Sequence, residues 1–501
     1  NWLPNEGQLW RFGSDIYDGW PSVLENYRED NTPGLPARGG PGHWNDADML
    51  EIGNGGMTDL EYQTQFVLWS EMASPLLLST DLAKLTPAEL NIVRNKNVLA
   101  VDQDPLGKQG EIVASGKGYD VLSRPLAGGD HAVVLFNSGD TAQTISTTGQ
   151  TVGAGSNPLA LKDLLTGKVT ASNGIIAANV PAHGTAIYRV SANPSKHGEP
   201  SVVVTATGDP QQSGQPSGQS SGQSSGPVTV TLANNGMSPI DHVEVTLKAP
   251  AGWTVTPTSA GLGKIDAGHS GSAKFTVSRP APPPGKQSST LTATADFRWQ
   301  GTNSDTATGQ DTVLTNTPYD NLAQAFNNVA ITDESNPTAG DFDGGGDSYS
   351  AQALAAAGVT PGSTVTHDGV SFAWPSASAG ANDNVVAGGQ IVKFSGKGSK
   401  LAFLGSEAGF ASGDVTVTYT DGSTATASLG FPNWCCTDPT AYGAQAAITT
   451  DHRDTPSGPA NYGVSYIVFY NTIALDPSKT VASVQLPDEP AIHVFALSTA
   501  S

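Results

Sequence analysis

The sequence has 501 residues, which suggests three or four domains, and its 24 Lys and Arg against 46 Asp and Glu give a net charge of −22. A chain this acidic lacks the basic surface that nucleic acids and anionic membranes require, so neither is expected as a partner. No apolar run approaches the ~18 residues of a membrane span, and 58 Gly with 34 Pro fit a turn-rich β protein.

The first hundred residues predict strands alternating with helices. Residues 42–52 form a short strand-like run, and residues 58–73 place apolar side chains at helical spacing. Residues 75–79 (PLLLS) are apolar throughout, which is typical of a strand buried on both faces. A second helix is predicted from Thr86, with Pro87 in its first turn. This alternation predicts a parallel sheet.

The first of these helices has a recognisable start. Thr58 is followed three residues later by Glu61, which predicts a capping box. Thr86 and Glu89 repeat the same spacing at the second helix.

After residue 110 the sequence changes to short alternating strands separated by Gly and Asn turns. The predicted fold is therefore multidomain and mostly β. The predicted domains are an α/β segment (1–110), an antiparallel β domain (111–192), an Ig-like β-sandwich (197–315) with a flexible Ser/Gly/Gln loop (210–226), and a jelly-roll-like β-sandwich (316–501).

Acidic side chains follow the predicted strands of the α/β segment. Arg11 precedes Asp15 by four residues, Asp46 and Asp48 end a strand-like run, and Asp81 follows the PLLLS run. Because the carboxyl ends of parallel strands meet at one edge, these groups can converge there, and paired carboxylates suit glycoside hydrolysis. Two alternatives remain open: Asp residues that cap the next helix, and a surface ion pair between Arg11 and Asp15 or Asp18.

Four ordered motifs strengthen the catalytic interpretation. They are WRFGSDIYDGW, GGPGHWNDADMLEIGNGGMT, ASPLLLSTDL and VLAVDQDPLGKQG. Together they resemble the second part of the catalytic domain of glycoside hydrolase family 27, the α-galactosidase family. The resemblance implies a partial (β/α)8 barrel, containing the last two or three βα units, followed by the family's antiparallel β domain.

The resemblance also implies roles for individual residues. Asp15 corresponds to the general acid/base, and Arg11 to a substrate-contacting arginine. Met49 is expected against the sugar, and Trp2 around its 2-hydroxyl. The family's N-D-P-D-M-L motif has Ala47 here in place of proline. Asp46 and Asp48 are interpreted as architectural, and no metal or other cofactor is expected.

The family's nucleophile has no counterpart in these motifs and is expected upstream of residue 1, as is a signal peptide. The chain is therefore expected to be an inactive fragment of a secreted, retaining exo-glycosidase that hydrolyses terminal α-galactosyl residues, with a galactoside or an oligo- or polysaccharide as substrate. The alternatives are a β-L-arabinopyranosidase, an α-N-acetylgalactosaminidase, or a non-catalytic carbohydrate-binding or spacer assembly. The oligomeric state is left open.

The later blocks carry weaker signals. The middle block resembles the NPCBM-associated Ig-like domain of α-galactosidases, and the last block resembles a jelly-roll module of secreted bacterial glycosidases. Its acidic run at residues 341–347 is either a calcium loop or, as we favour, a Gly-rich turn without EF-hand spacing. Cys435 and Cys436 are the two cysteines of the sequence, and they either close a strained ring or stay reduced.

Overall fold

The computed structural model describes residues 6–11, 13–156, 158–192, 194–195, 197–208, 224–409, 411–436 and 438–500. The chain forms two compact units, which are described separately. The first contains the α/β segment, a β domain and an Ig-like sandwich, and the second contains the C-terminal sandwich.

The α/β segment has two short parallel strands and four helices among its described residues. Its elements are β1 (Leu9–Arg11), α1 (Trp20–Asp30), β2 (Trp44–Asp46), α2 (Asp59–Met72), α3 (Pro87–Val93) and α4 (Lys96–Asp102). In the parallel pair, Leu9 lies opposite Trp44 and Arg11 lies opposite Asp46. The two strands therefore end side by side.

Both predicted helix starts are confirmed. The Thr58 hydroxyl accepts a hydrogen bond from the Glu61 backbone N–H, while the Glu61 carboxylate accepts one from the Thr58 backbone N–H, which completes the capping box. Thr86 and Glu89 form the same arrangement at α3. Each box satisfies two backbone donors that have no partner within the helix.

Two elements differ from the sequence prediction. Residues 75–79 form no strand, and their one ladder contact is a parallel bridge between Leu50 and Leu78. Leu77 is 50% exposed, so the run is not buried on both faces. A buried strand needs a backbone neighbour on each side, and the described residues supply one. Helix α1 was not predicted, because buried polar residues such as Ser22 and Asn26 interrupt its apolar stripe.

The β domain is largely antiparallel. Its strands are β3 (Glu111–Gly116), β4 (Tyr119–Pro125), β5 (His131–Asn137), β6 (Gln143–Thr148), β7 (Leu159–Asp163), β8 (Val169–Ser172), β9 (Ile175–Val180), β10 (Thr185–Ala192) and β11 (Glu199–Pro200). Seven of them form one sheet in the order β11-β8-β7-β10-β5-β4-β3, and β6 pairs with β9. The β11–β8 contact is parallel.

Helix α2 packs against this β domain. Trp69 and Phe66 of the helix belong to the same hydrophobic core as Val134 and Phe136 of β5. Tyr27 of α1 makes an edge-to-face contact with Phe136, with ring centroids 5.0 Å apart. The shared core fixes the helices that support the ends of β1 and β2.

The Ig-like sandwich consists of two four-stranded sheets around one core. Its strands are β12 (Val202–Thr207), β13 (Ser224–Asn234), β14 (Ile240–Lys248), β15 (Thr254–Thr256), β16 (Ser259–Ile265), β17 (Ser270–Arg279), β18 (Gly285–Trp299) and β19 (Asn303–Thr317). The sheet orders are β12-β13-β17-β15 and β16-β14-β18-β19.

Strand β12 pairs with β13 in antiparallel register, from Val202 opposite Asn234 to Thr207 opposite Thr229. Residues 210–223 of the predicted loop lie outside the described residues. Residues 224–226, which the prediction also assigned to the loop, begin β13 and pair with β17. The structure therefore corrects the end of the predicted loop.

The C-terminal unit is a β-sandwich whose described residues include one short α-helix, α5 (Ala351–Ala356). Its strands are β20 (Ile331–Thr332), β21 (Ser348–Ser350), β22 (Thr364–His367), β23 (Val370–Ala373), β24 (Val385–Val386), β25 (Ile391–Gly396), β26 (Lys400–Glu407), β27 (Ser412–Tyr419), β28 (Thr424–Gly430), β29 (Gln445–Thr450), β30 (Arg453–Thr455), β31 (Gly458–Ala460), β32 (Tyr466–Ala474), β33 (Val481–Gln485) and β34 (Ile492–Ala500).

A five-stranded sheet has the order β24-β34-β26-β32-β29 and a four-stranded sheet the order β25-β33-β27-β28, and side chains from both form one core. A further sheet has the order β20-β21-β30-β31, and β22 pairs with β23. The predicted β-sandwich is confirmed. Across the described part of the chain, no helix combines the length and apolar character that crossing a membrane demands.

Candidate active site

The parallel pairing of β1 with β2 brings two of the acidic motifs together. Below the strand ends, the Trp10 indole N–H donates to the Asn45 amide oxygen at 3.0 Å. The Asn45 amide nitrogen donates in turn to Gln109 Oε1 at 2.7 Å. These buried bonds fix the register of the two strands, so that the residues after Arg11 and Asp46 leave the sheet at the same edge.

Arg11 joins the two loops. Its Nη2 lies 3.0 Å from Asp15 Oδ1 and 2.9 Å from Asp48 Oδ2. The same nitrogen donates to the Ser14 carbonyl at 2.8 Å. One guanidinium therefore holds the loop that carries Asp15 against the loop that carries Asp48.

Asp48 is the most strongly held of these residues. Its Oδ2 also accepts the Ile16 backbone N–H at 2.9 Å, and its carbonyl accepts the Trp69 indole N–H at 2.7 Å. Its φ of +77° places its backbone in the left-handed region, which is uncommon for a residue other than glycine. Strained backbone of this kind concentrates at functional sites.

Exposure separates the carboxylates. The Asp15 side chain is 99% exposed, whereas that of Asp48 is 13% exposed. Asp46 is buried, and burial raises its pKa, while the hydrogen bond from the Asp48 backbone N–H acts in the opposite direction. Asp15 is therefore the most accessible of the three carboxylates.

Helix α1 supports the Asp15 loop through contacts that the sequence analysis missed. Asn26 donates to the carbonyls of Ser14 and Ala47, and the Glu29 carboxylate accepts the Ser14 backbone N–H at 3.0 Å. Asn26 thus spans both loops. The available signal was Pro21 in the first turn, followed by Val23 and Tyr27 four residues apart.

The remaining predicted residues lie in different surroundings. Met49 is exposed next to Asp48, and its carbonyl accepts a hydrogen bond from Gln65 of α2. Asp18 accepts a hydrogen bond from the Tyr62 hydroxyl, and Asp81 accepts one from the Ala83 N–H within its own turn. Neither of them bonds to Arg11. Trp2 lies outside the described residues.

The described residues contain no group of His, Cys, Asp and Glu arranged to hold a metal ion. In the acidic run at residues 341–347, Asp341 Oδ1 accepts the N–H groups of Gly344 and Gly346, and Asp347 forms an ion pair with Arg453. Asp341 therefore bonds to backbone groups of its own turn and Asp347 to the Arg453 guanidinium, an arrangement typical of a Gly-rich turn.

The geometry places the exposed Asp15 carboxylate, the Arg11 guanidinium and the less accessible Asp46 and Asp48 carboxylates at the ends of two parallel strands. The family model described as "Alpha galactosidase A" matches residues 2–104, which contain all of these groups. "Alpha galactosidase C-terminal beta sandwich domain" matches 116–190, and "NPCBM-associated, NEW3 domain of alpha-galactosidase" matches 221–298. The chain belongs to glycoside hydrolase family 27, the α-galactosidase family.

This family 27 chain ends in a domain of another type, since residues 318–501 match a model described as "AziU2-like beta-sandwich domain". Curated relatives include an α-galactosidase of Oryza sativa subsp. japonica, 38% identical over 193 residues that cover 38% of this chain and 46% of the relative. An α-N-acetylgalactosaminidase of Gallus gallus is 43% identical over 132 residues, covering 26% of this chain and 33% of the relative.

Among solved structures, α-galactosidase I from Mortierella vinacea superimposes with a TM-score of 0.36 and 26% identity, covering 39% of this chain and 56% of that one. The family 27 chain spans about half the length of the curated relatives that it matches, 46% for the rice enzyme.

Proposed function

We propose that residues 1–501 belong to a longer, secreted retaining exo-glycosidase that removes terminal α-galactosyl residues, and that Asp15 is its general acid/base. The observation that carries this proposal is the exposed Asp15 carboxylate held 3.0 Å from Arg11, which Asp48 fixes from the other loop. The matches to α-galactosidase family models on both sides of residue 110 support it.

The proposed mechanism uses this carboxyl group twice. Asp15 first protonates the glycosidic oxygen while a nucleophilic carboxylate from outside residues 1–501 attacks the anomeric carbon. Asp15 then removes a proton from the water that releases the sugar. Retaining geometry requires the two carboxyl groups ~5–5.5 Å apart, so the nucleophile is expected to face Asp15 from another loop of the same barrel.

Arg11 and Met49 are proposed as substrate contacts, since both are exposed, Arg11 in contact with Asp15 and Met49 directly after Asp48. Trp2 is proposed to lie near the sugar 2-hydroxyl. Asp48 is proposed as a positioning residue, because its oxygen bonds both the Arg11 guanidinium and the Ile16 N–H. Residues 1–110 are proposed to supply the last βα units of the barrel.

The central experiment replaces Asp15 with alanine in the full-length protein. We expect kcat/KM for natural galactosides to fall by about 10²–10⁴-fold, the usual contribution of general acid/base catalysis. Nitrophenyl galactosides need little protonation and lose less in the glycosylation step. Added azide is expected to restore turnover and give an α-galactosyl azide. Near-normal activity of Asp15→Ala would assign the acid/base role to another residue, with Asp48 the first candidate.

A second variant tests positioning. Asp48→Asn removes the charge that holds Arg11 but keeps an oxygen for the Ile16 N–H. We expect a smaller loss than for Asp15→Ala and no rescue by azide, because Asp15 still occupies its place. Asp81→Asn is the matched control, since Asp81 lies in a separate exposed turn. Equal losses in Asp48→Asn and Asp81→Asn would contradict the positioning role.

Sugar specificity is tested with a substrate panel. The Gallus gallus relative favours α-N-acetylgalactosaminides as the second candidate substrate class. Nitrophenyl α-galactoside, α-N-acetylgalactosaminide and β-L-arabinopyranoside are compared for the full-length protein and for residues 1–501. Activity in neither preparation would favour the non-catalytic alternative.

A further inference from the structure

We propose that Cys435 and Cys436 form a reversible disulfide between adjacent residues on the surface of the C-terminal sandwich. They are the two cysteines of residues 1–501, so a disulfide within this stretch can join only these two. Both are reduced in the structure, with Cys436 exposed and Cys435 partly buried. They lie in the connection between β28 and β29.

The backbone before the pair is fixed. The carbonyl of buried Trp434 accepts the Ile467 N–H at 2.8 Å, and Cys435 forms an antiparallel bridge with Tyr466. The Cys435 N–H also donates to the Asn433 side chain at 3.1 Å. Cys435 is thus held beside Tyr466 at the start of β32.

Cys436 then leaves the extended conformation. Adjacent side chains on an extended strand point to opposite faces, which would separate the two thiols. The φ of Cys436 is +67°, in the left-handed region that most side chains avoid. This turn breaks the alternation, and the two thiols lie within hydrogen-bond reach of each other.

The electrostatics of the pair agree with this arrangement. Burial, together with the adjacent Cys436 thiol, raises the pKa of Cys435 to about 12, whereas Arg453 opposes the shift. Cys435 is therefore a poor first nucleophile. Exposed Cys436 is the thiol that reacts first with an oxidant from solution.

The oxidant we propose is a low-molecular-weight disulfide such as oxidised glutathione. The Cys436 thiolate attacks one of its sulfur atoms and releases one glutathione as a thiol. The Cys435 thiol gives its proton to solvent and attacks the Cys436 sulfur, which expels the second glutathione. Two protein thiols are oxidised to one disulfide, and one glutathione disulfide is reduced to two thiols.

The bond is expected to be easily reduced. Adjacent Cα atoms lie ~3.8 Å apart, below the usual ~4.4–6.8 Å of a disulfide, and strained, exposed disulfides have the more oxidising potentials. A ring of two residues also constrains the unfolded chain very little. The pair is therefore a redox-sensitive modification site rather than a staple that stabilises the sandwich.

The test equilibrates the 501-residue chain with oxidised glutathione and measures the peptide that contains both cysteines by mass spectrometry. We expect a peptide two hydrogen atoms lighter than its reduced form, no free thiols, and return of both thiols with dithiothreitol under native conditions. Two free thiols, two stable glutathione adducts, or disulfide-linked dimers would each overturn the proposal.

Single variants show the order of reaction. Cys435→Ser is expected to retain one glutathione on Cys436, because no second thiol remains to expel it. Cys436→Ser is expected to react at least tenfold more slowly, because Cys435 is partly buried and this burial raises the pKa of its thiol. Equal rates for the two variants would contradict attack by Cys436 first. The wild-type mass measurement holds even if a variant fails to fold.

Discussion

A buried carboxylate in the α/β segment and one in the C-terminal sandwich show two ways to hold the same group. Glu71 in α2 and Asp383 before β24 are both almost completely inaccessible. Asp383 accepts the backbone N–H groups of Ala330 and Ile331 at 3.1 and 2.9 Å. Neither carboxylate oxygen of Glu71 has a hydrogen-bond donor among the described residues.

The pKa values follow this difference. Burial raises the pKa of Glu71 to about 8, opposed by the charge of Arg124. Burial raises the pKa of Asp383 to about 6, opposed by the Asn384 side chain and the two backbone N–H groups. Arg124 forms no hydrogen bond with Glu71, and its Nη1 and Nη2 donate to the carbonyls of Ser70 and Asp102. Direct donors therefore offset burial better than a nearby cation.

The comparison also separates structural from titrating roles. Asp383 ties the segment that enters β20 to the segment that precedes β24, so its loss leaves backbone donors unpaired. Glu71 satisfies no donor among the described residues and is neutral at pH 7, given its pKa of about 8. Replacing Glu71 with a side chain that cannot ionise is therefore expected to remove the free-energy cost of burying a carboxylate, without removing a hydrogen bond.

The largest effect is expected from Asp383→Ala. This change leaves the Ala330 and Ile331 N–H groups buried without acceptors, at ~1–3 kcal/mol for each unsatisfied group. We expect the free energy of unfolding of the sandwich to fall by roughly 2–4 kcal/mol. Urea unfolding followed by amide exchange in peptides of residues 318–501 measures it. Asp414→Ala, at an exposed position of β27, is the control. Equal losses in the two variants would show that Asp383 does not stabilise the sandwich by joining the segments that precede β24 and enter β20.

Glu71→Gln is expected to have a smaller, pH-dependent effect. The folded-state pKa is raised above the unfolded value, so the folded state binds the extra proton, and wild-type stability falls as pH rises from about 4.5 to about 8. Glu71→Gln has no carboxyl group at this position, so its stability is not reduced by ionisation there as pH rises. It is expected to match wild type near pH 5 and to exceed it by roughly 1–3 kcal/mol near pH 9.

The measurement is urea unfolding at both pH values, followed by amide exchange in the peptides of α2. Glu111→Gln, which changes an exposed carboxylate, is expected to leave the pH dependence unchanged. Parallel pH profiles for wild type and Glu71→Gln would show that Glu71 ionises normally in the folded protein.

The smallest effect tests the helix starts of the α/β segment. Thr58→Ala and Thr86→Ala each remove one capping box, which costs ~1 kcal/mol. The Thr58 variant is expected to cost more, because Glu61 also bonds His183 at 2.8 Å and loses a partner that fixes its orientation. Thermal unfolding with amide exchange of α2 and α3 distinguishes the two. A larger loss for Thr86→Ala would contradict this coupling.

The sequence suggested most of the residues of the candidate site, but it did not predict the ion pairs and hydrogen bonds that connect them. The spacing of Arg11 and Asp15 and the acidic residues after a strand suggested the group, and the family resemblance supplied its proposed roles. The contact of Arg11 with Asp48 depends on the parallel register of β1 and β2, across 37 residues of chain. Asn26 was missed because a buried polar residue in a helix looks like an exposed one in sequence.

The sequence by itself determined the features that arise within a few residues. The capping boxes at Thr58 and Thr86, the short alternating strands after residue 110, and the motif around Asp15 all depend on contacts between near neighbours or on local pattern. Only the tertiary structure decided whether residues 75–79 had a strand on each side, and which buried carboxylate received donors. Those outcomes depend on backbone groups that are distant in sequence, and local residue preferences contain no information about where such groups will lie.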